Sequence, residues 1–114
     1  DTIGAMKIRA LCPDATLIYI LPPSWDELKS RLSSTGIYTE EEVNALMEIA
    51  EEEISCANSY DYILVNDTIS NTLSRFAQII HSNRYSRNCM KEFLDSYIDG
   101  EVKPHVQSYK EALL

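Results

Sequence analysis

The sequence has no long apolar run and is poor in basic residues. No apolar stretch approaches the roughly 20 residues that a membrane-spanning helix needs. Ten Lys and Arg residues stand against 18 Asp and Glu residues, which gives a net charge of −8 at pH 7. Because nucleic-acid binding requires a basic surface, this charge balance argues against a nucleic-acid polymer as a partner. The absence of long apolar runs likewise argues against a membrane as a partner.

Cysteine is also scarce, and its spacing suits neither a zinc site nor a set of disulfides. The chain has only three cysteines, Cys12, Cys56 and Cys89, without a CxxC pair. An odd number of widely separated cysteines is typical of free thiols in a reducing compartment. We therefore expect a cytoplasmic protein.

The shortage of basic residues is concentrated in one interval. No Lys or Arg occurs between Arg31 and Arg75, whereas residues 40–53 contain seven glutamates. A run of this kind usually forms the solvated face of a helix. A cation site or a surface that faces a partner is the alternative.

One strand–turn–helix unit organises the rest of the chain. Residues 16–21 form a short Ile- and Leu-rich run, which predicts a strand buried on both faces. Pro22 and Pro23 end it, and Ser24 with Glu27 forms a capping box that begins a helix. In parallel α/β folds ligands bind beyond the carboxyl ends of the strands, which is where this turn is expected.

The remaining pattern extends this unit into an alternation of helices and strands. We predict a helix within residues 1–14 and a second capping box at Thr39 and Glu42 that begins a helix over residues 40–57. A second strand follows at residues 60–65, and then a helix capped by Asp67 or Thr68. A further amphipathic helix ends at Gly100, and a last short helix or a docked stretch of chain is expected around Tyr109. The fold class is α/β, with parallel strands flanked by helices.

Several short segments carry a recognisable pattern in order and spacing: Ile20-Leu21-Pro22-Pro23-Ser24, Glu27-Leu28, Arg31-Leu32, Thr39-Glu40-Glu41, Tyr60-Asp61-Tyr62 and Val65-Asn66-Asp67, with Asp1, Gly4 and Ala5 at the start. Together they resemble the C-terminal half of guanylate kinases. The resemblance covers residues 1–84 and implies a partial P-loop kinase-type sheet with a lid at about residues 33–42. We expect residues 85–114 to form a helical extension beyond it.

The resemblance implies that the full-length protein transfers the γ-phosphoryl group of ATP to GMP, with Mg²⁺. The phosphate-binding motif GxxxxGK[ST] is absent from this chain, and in the family both that loop and the GMP-binding part come earlier. We therefore expect the chain alone to be an inactive C-terminal half. The alternative is a non-catalytic guanylate kinase-like module that serves protein interaction.

The resemblance also assigns site residues. Arg31 matches a phosphate-clamping arginine and is the expected catalytic residue, although an exposed helical arginine is the alternative. The other two clamping arginines match Thr35 and Leu46, and each missing contact is worth on the order of a hundredfold in rate.

Three further residues are expected to bind nucleotide: Asn66, Asp67 and Asp1. Asn66 and Asp67 lie in the turn after the second strand, where they can instead serve as a helix cap. Asp1 would lie near substrate or magnesium.

A two-stranded parallel sheet is rarely stable alone and leaves an open edge. We expect this edge to associate with the missing N-terminal half or with a second copy of the chain. The helix of the C-terminal tail is the other candidate cover for exposed apolar surface.

Overall fold

The structure, a computed structural model, describes residues 1–100 of the 114. In chain order its elements are helix α1 (Thr2–Leu11), strand β1 (Ile18–Leu21), helices α2 (Trp25–Ser34) and α3 (Glu40–Glu53), a 3₁₀ helix (Ile54–Ser59), strand β2 (Tyr62–Val65) and helices α4 (Ile69–Asn83) and α5 (Lys91–Asp99). This order confirms the predicted alternation. The helix expected around Tyr109 lies outside the described residues. No helix within residues 1–100 is long and apolar enough to cross a membrane.

The chain divides into two compact units, Asp1–Ala77 and Gln78–Leu114. The first contains the sheet and the helices α1 to α3. The described part of the second contains α5, which ends at Gly100 in the left-handed region with φ 118°, as predicted. The domain boundary after residue 84 stays a prediction.

The sheet consists of β1 and β2, which run parallel in the register Ile18 to Tyr62 through Leu21 to Val65. The amide of Asn66 donates to the carbonyl of Leu21 over 2.7 Å and so extends the ladder by one bond. The predicted α/β class with parallel strands is confirmed. Both strands therefore end side by side at the same edge of the sheet.

The strand predicted at residues 16–21 is shorter and more exposed than expected. It covers Ile18–Leu21, and Ile20 is 54% exposed. The prediction that it is buried on both faces is wrong. Because the sheet in residues 1–100 has two strands, β1 lacks the second neighbour that a central strand of a larger parallel sheet has. The buried apolar core of the described residues is correspondingly small and comprises Leu17, Val43 and Leu64.

The capping boxes are confirmed in one case and half-formed in the other. Thr39 Oγ1 accepts from the Glu42 amide over 3.2 Å, and Glu42 Oε2 accepts from the Thr39 amide over 2.8 Å. Ser24 Oγ accepts from the Glu27 amide over 3.1 Å, but the Glu27 carboxylate pairs with Arg31 instead.

Helix α3 ends at Glu53 rather than at the predicted residue 57, and a 3₁₀ helix continues the chain. Its last turn holds the three consecutive glutamates of residues 51–53 and no basic residue. Negative charge is unfavourable at the carbonyl end of a helix, which explains the early end.

A charged cluster joins the amino ends of the two strands. Asp61 Oδ2 accepts from the Leu17 amide over 2.7 Å and from Arg9 Nη2 over 2.6 Å. Arg9 Nη1 also donates to the carbonyls of Pro13 and Ala15, over 3.1 and 3.0 Å. The hydrogen bond from the Leu17 amide is the main cause that lowers the pKa of Asp61 below its ordinary value. Burial opposes this shift, and Arg9 adds to it. This cluster fastens α1 and β1 to the start of β2.

Replacing Asp61 by Ala is expected to lower the free energy of unfolding by about 1–2 kcal/mol, because it removes the acceptor of the Leu17 amide and the partner of Arg9. Urea denaturation followed by circular dichroism measures this loss.

The stabilising contribution of Asp61 depends on pH. Since folding lowers the pKa of Asp61, this contribution to the free energy of unfolding is present above the unfolded pKa and is lost as the pH falls through the folded pKa. The difference from the wild type should therefore shrink in acid. Asp14→Ala, at an exposed aspartate, is the control, and an equal loss of stability in both variants contradicts the prediction.

Candidate functional site

The candidate site lies beyond the carboxyl ends of β1 and β2. Pro22 and Pro23 follow β1, and Asn66 and Asp67 follow β2. Because Leu21 is paired with Val65, the two turns start at the same edge of the sheet. This edge is where parallel α/β folds bind ligands.

Helix α2 brings Arg31 to this edge. Its guanidinium is held on two sides: Nε donates to Glu27 Oε1 over 2.8 Å, and Nη2 donates to the carbonyls of Asn66 and Asp67 over 3.0 and 3.3 Å. The side chain remains 37% exposed, and no residue among 1–100 accepts a hydrogen bond from Nη1. The sequence-predicted residues Arg31, Asn66 and Asp67 are thus in direct contact, and one nitrogen of the guanidinium is left to bind a ligand.

Asn66 is held by its main chain and by one side-chain atom. Its amide bonds to Leu21, and its Oδ1 accepts from Thr72 Oγ1 over 3.0 Å. Within the described part of the chain, Nδ2 donates to no acceptor. This amide nitrogen is a second hydrogen-bond donor available at the same edge.

Asp67, in contrast, uses its carboxylate within the turn. Oδ1 accepts from the Thr68 amide over 2.7 Å and forms an ion pair with Arg75 Nη1 at 3.0 Å, and Oδ2 accepts from Asn71 Nδ2 over 3.4 Å. The Thr68 amide lowers the pKa of Asp67, with smaller contributions from Arg75 and Asn71, while burial has an opposing effect. Thr68 Oγ1 accepts from the Asn71 amide over 3.2 Å and so caps α4. The sequence predicted either Asp67 or Thr68 as this cap. The carboxylate of Asp67 is therefore a structural acceptor that stays ionised.

Sequence reasoning missed Arg75, which lies on α4 and reaches back to the end of β2. Its Nη1 donates to the Val65 carbonyl over 3.0 Å, in addition to its contact with Asp67. The one signal in the sequence is that Arg75 ends the interval without basic residues. Nothing local to that helix indicates which carbonyl the guanidinium meets.

Asp1 is not joined to the other three predicted residues by any described contact. It is the N-cap of α1, and its carboxylate accepts from the Gly4 amide. A Cβ at Gly4 would lie 2.9 Å from Asp1 Oδ1, so the small residue there suits this cap. Its expected nucleotide role stays a prediction.

The loop between α2 and α3 contains no cation. Thr35 is exposed, and its hydroxyl donates to the Leu32 carbonyl over 2.8 Å. Gly36 follows with φ 68°, in the left-handed region that favours glycine. Leu46, on α3, is half-buried.

The acidic run on α3 does not form a metal site. Within residues 1–100 no three His, Cys, Asp or Glu side chains are grouped so that they could hold a metal ion. Six of its seven glutamates are exposed. The solvated-face interpretation therefore accounts for the run better than the cation-site alternative.

A cleft of about 600 Å³ follows β1 toward the start of α2. Its wall is largely apolar, and the residues that line it include Tyr19, Ile20, Leu21, Pro22, Trp25, Leu28 and Ile54, with Glu53 as the charged member. Ile20 and Trp25 are exposed there. The cleft thus continues the open edge of β1.

Comparison with known proteins shows the family to which this chain belongs. A family model described as guanylate kinase matches residues 1–83. The chain belongs to the guanylate kinase family. It is 44% identical to a guanylate kinase of Francisella tularensis over 84 residues, which is 73% of this chain and 44% of that protein.

Two further guanylate kinases illustrate the extent of the match. One from Halalkalibacterium halodurans is 34% identical over 98 residues, 86% of this chain and 48% of that protein. One from Thermus thermophilus is 37% identical over 92 residues, 81% of this chain and 42% of that protein. The chain thus spans about half the length of the curated relatives it matches. The resemblance stated from the sequence is confirmed.

The contacts of Asp67 predict how its pKa responds to Arg75. Replacing Arg75 by Ala should raise the pKa of Asp67 only part of the way to its ordinary value, because the larger contribution of the Thr68 amide remains. Carboxyl ¹³C NMR titration of both proteins measures the change. Asp61, whose partner is Arg9, is the internal control and should not move. An unchanged pKa of Asp67 in the variant contradicts the ion pair.

Proposed function

We propose that this chain is the C-terminal half of a guanylate kinase whose complete form transfers the γ-phosphoryl group of ATP to GMP. Membership of the family supports this assignment, as does the similarity to three proteins named guanylate kinase. The chain has no GxxxxGK[ST] motif and matches about half of each relative. On this proposal, residues 1–114 alone are inactive.

The observation that carries the proposal is the way Arg31 is held. Glu27 and the carbonyls of Asn66 and Asp67 occupy Nε and Nη2, so the guanidinium is oriented before a ligand arrives. Nη1 can then donate a charge-assisted hydrogen bond to a phosphate oxygen. Phosphoryl transfer is catalysed mainly by positioning and by stabilisation of negative charge, and a preoriented guanidinium supplies both.

Asn66 is proposed to contact the nucleotide through Nδ2, the donor that its own turn does not use. For Asp67 we propose a role at the nucleotide through the turn that it orders, since its carboxylate is occupied by Thr68, Asn71 and Arg75. Asp1 is proposed to face substrate only when the rest of the family domain is present.

ATP and Mg²⁺ are the cofactors that the family implies, and the described residues do not fit a magnesium site of their own. The carboxylate of the turn, Asp67, is paired with Arg75. Within residues 1–100 no three His, Cys, Asp or Glu side chains are placed so that they could hold a metal ion. Magnesium usually binds through one or two carboxylates together with substrate phosphates.

The test is a kinetic comparison on the complete gene product. Arg31→Ala should lower kcat for ATP-dependent phosphorylation of GMP by about a hundredfold, because a donor to the transferring phosphate is lost. A coupled assay of ADP release measures the rate. Lys29→Ala, which removes an exposed charge from the same helix, is the matched control and should retain the wild-type rate. Equal rates for Arg31→Ala and the wild type contradict the proposed role.

A second candidate function is a non-catalytic module that retains the guanylate kinase fold for protein interaction. The observation that favours it is the loop after α2, where the position of one expected clamping arginine is Thr35 and where no basic residue occurs from 32 to 74. Isothermal titration calorimetry of the complete protein separates the two functions. Binding of GMP and ATP supports the kinase, and binding of neither supports the module.

We also propose that the open edge of β1 is covered in solution by the missing N-terminal half or, in its absence, by a second copy. Ile20 lies on this edge and in the apolar cleft. The 114-residue chain should therefore self-associate at micromolar concentration in analytical ultracentrifugation, and Ile20→Lys should weaken association. Ile37→Lys, at an apolar residue of the loop that is 76% exposed, is the control. A well-folded monomer of the wild type contradicts self-association.

A further inference from the structure

Three consecutive carbonyls at the end of β2 accept hydrogen bonds from two arginines. The Val65 carbonyl accepts from Arg75, and the carbonyls of Asn66 and Asp67 accept from Arg31, with distances of 3.0, 3.0 and 3.3 Å. The short segment 65–67 therefore contacts both a guanidinium from α4 and a guanidinium from α2. The orientation of one arginine depends on the segment that the other one holds.

Arg75 fixes this segment at two points with a single nitrogen. Nη1 donates to the Val65 carbonyl and contacts Asp67 Oδ1 at 3.0 Å. It thereby ties both the main chain before Asn66 and the side chain after it to α4. A rotation of either peptide unit of Asn66 would move the carbonyls that Arg31 uses.

We propose that Arg75 is a positioning residue for phosphoryl transfer and acts through Arg31. This inference rests on the proposed function, in which Arg31 meets the phosphate. Arg75 keeps the Asn66 and Asp67 carbonyls directed at Nη2 of Arg31, and so sets where Nη1 is presented. It touches no substrate itself.

Other contacts limit the effect of removing Arg75. The Asn66 amide still bonds to Leu21, and Asn66 Oδ1 still bonds to Thr72. The turn should therefore shift rather than unfold when Arg75 is removed. Displacement of a catalytic group by about 1 Å can cost up to a hundredfold in rate, and for a partly held turn we expect about a tenfold loss.

The kinetic test is a double-mutant cycle on the complete gene product. Arg75→Ala should lower kcat about tenfold while KM for GMP stays within about twofold, and it should have almost no effect when Arg31 is already Ala. Equal losses in both backgrounds would overturn the proposal. Arg84→Ala, which removes another exposed charge, should leave kcat unchanged.

The conservative variant separates positioning from general loss of structure. A single nitrogen of Arg75 contacts both the Val65 carbonyl and the Asp67 carboxylate. The ammonium group of a lysine can therefore make the same two contacts. Arg75→Lys should therefore recover most of the lost rate. Recovery by Arg75→Gln to the same extent would show that charge and reach do not matter, and would count against the role.

A readout without activity keeps the inference testable if the kinase proposal fails. The side-chain ¹⁵N–¹H signals of Arg31 report its restrained guanidinium in the 114-residue protein. Arg75→Ala should shift the Nε signal and broaden the Nη signals of Arg31, and Arg84→Ala should not. Unchanged Arg31 signals in Arg75→Ala overturn the positioning role, whereas absence of turnover in the wild type overturns the proposed function alone.

Discussion

The parallel pairing of β1 with β2 is the interaction on which the described site depends. Only four residue pairs form it, from Ile18 with Tyr62 to Leu21 with Val65. Strand β2 has an aspartate beside each end. Each carboxylate accepts a hydrogen bond from a backbone amide and forms an ion pair with an arginine. Asp61 does so at the amino end, with Leu17 and Arg9, and Asp67 does so at the carboxyl end, with Thr68 and Arg75. The contact at the amino end crosses from Asp61 to Leu17 beside β1 and so helps to fix the register of this short ladder. The contacts at the carboxyl end join β2 to α4.

The elements and several caps could be predicted from the sequence because their causes are local. Thr39 and Glu42 are three residues apart and form the expected capping box, and Gly100 ends α5 through its own backbone conformation. The Pro-Pro turn likewise ends β1 by removing backbone donors. In each case the physical reason is contained within a few consecutive residues.

The contacts that assemble the site could not be predicted because they join distant parts of the chain. Arg9 meets Asp61 across 52 positions, and Arg31 meets the Asn66 carbonyl across 35. Periodicity indicates which face of a helix is apolar, but it does not indicate which carbonyl a guanidinium reaches. The exposure of Ile20 could not be predicted because it depends on a strand that residues 1–100 do not contain. An apolar run predicts burial, whereas burial also requires a neighbouring strand that residues 1–100 do not supply.

The crossover between the two strands has a consequence for how this family can vary. Leu17 and Asp61, at the start of the ladder, are 44 positions apart, so pairing the strands closes a long loop that contains α2, α3 and the segment around Gly36. The entropy of loop closure rises only with the logarithm of length, by about 0.6 kcal/mol for each doubling. Insertions and deletions at the exposed tip of the crossover therefore cost little in loop-closure entropy. The length of that tip can change under selection for ligand binding without loss of the framework that holds Arg31.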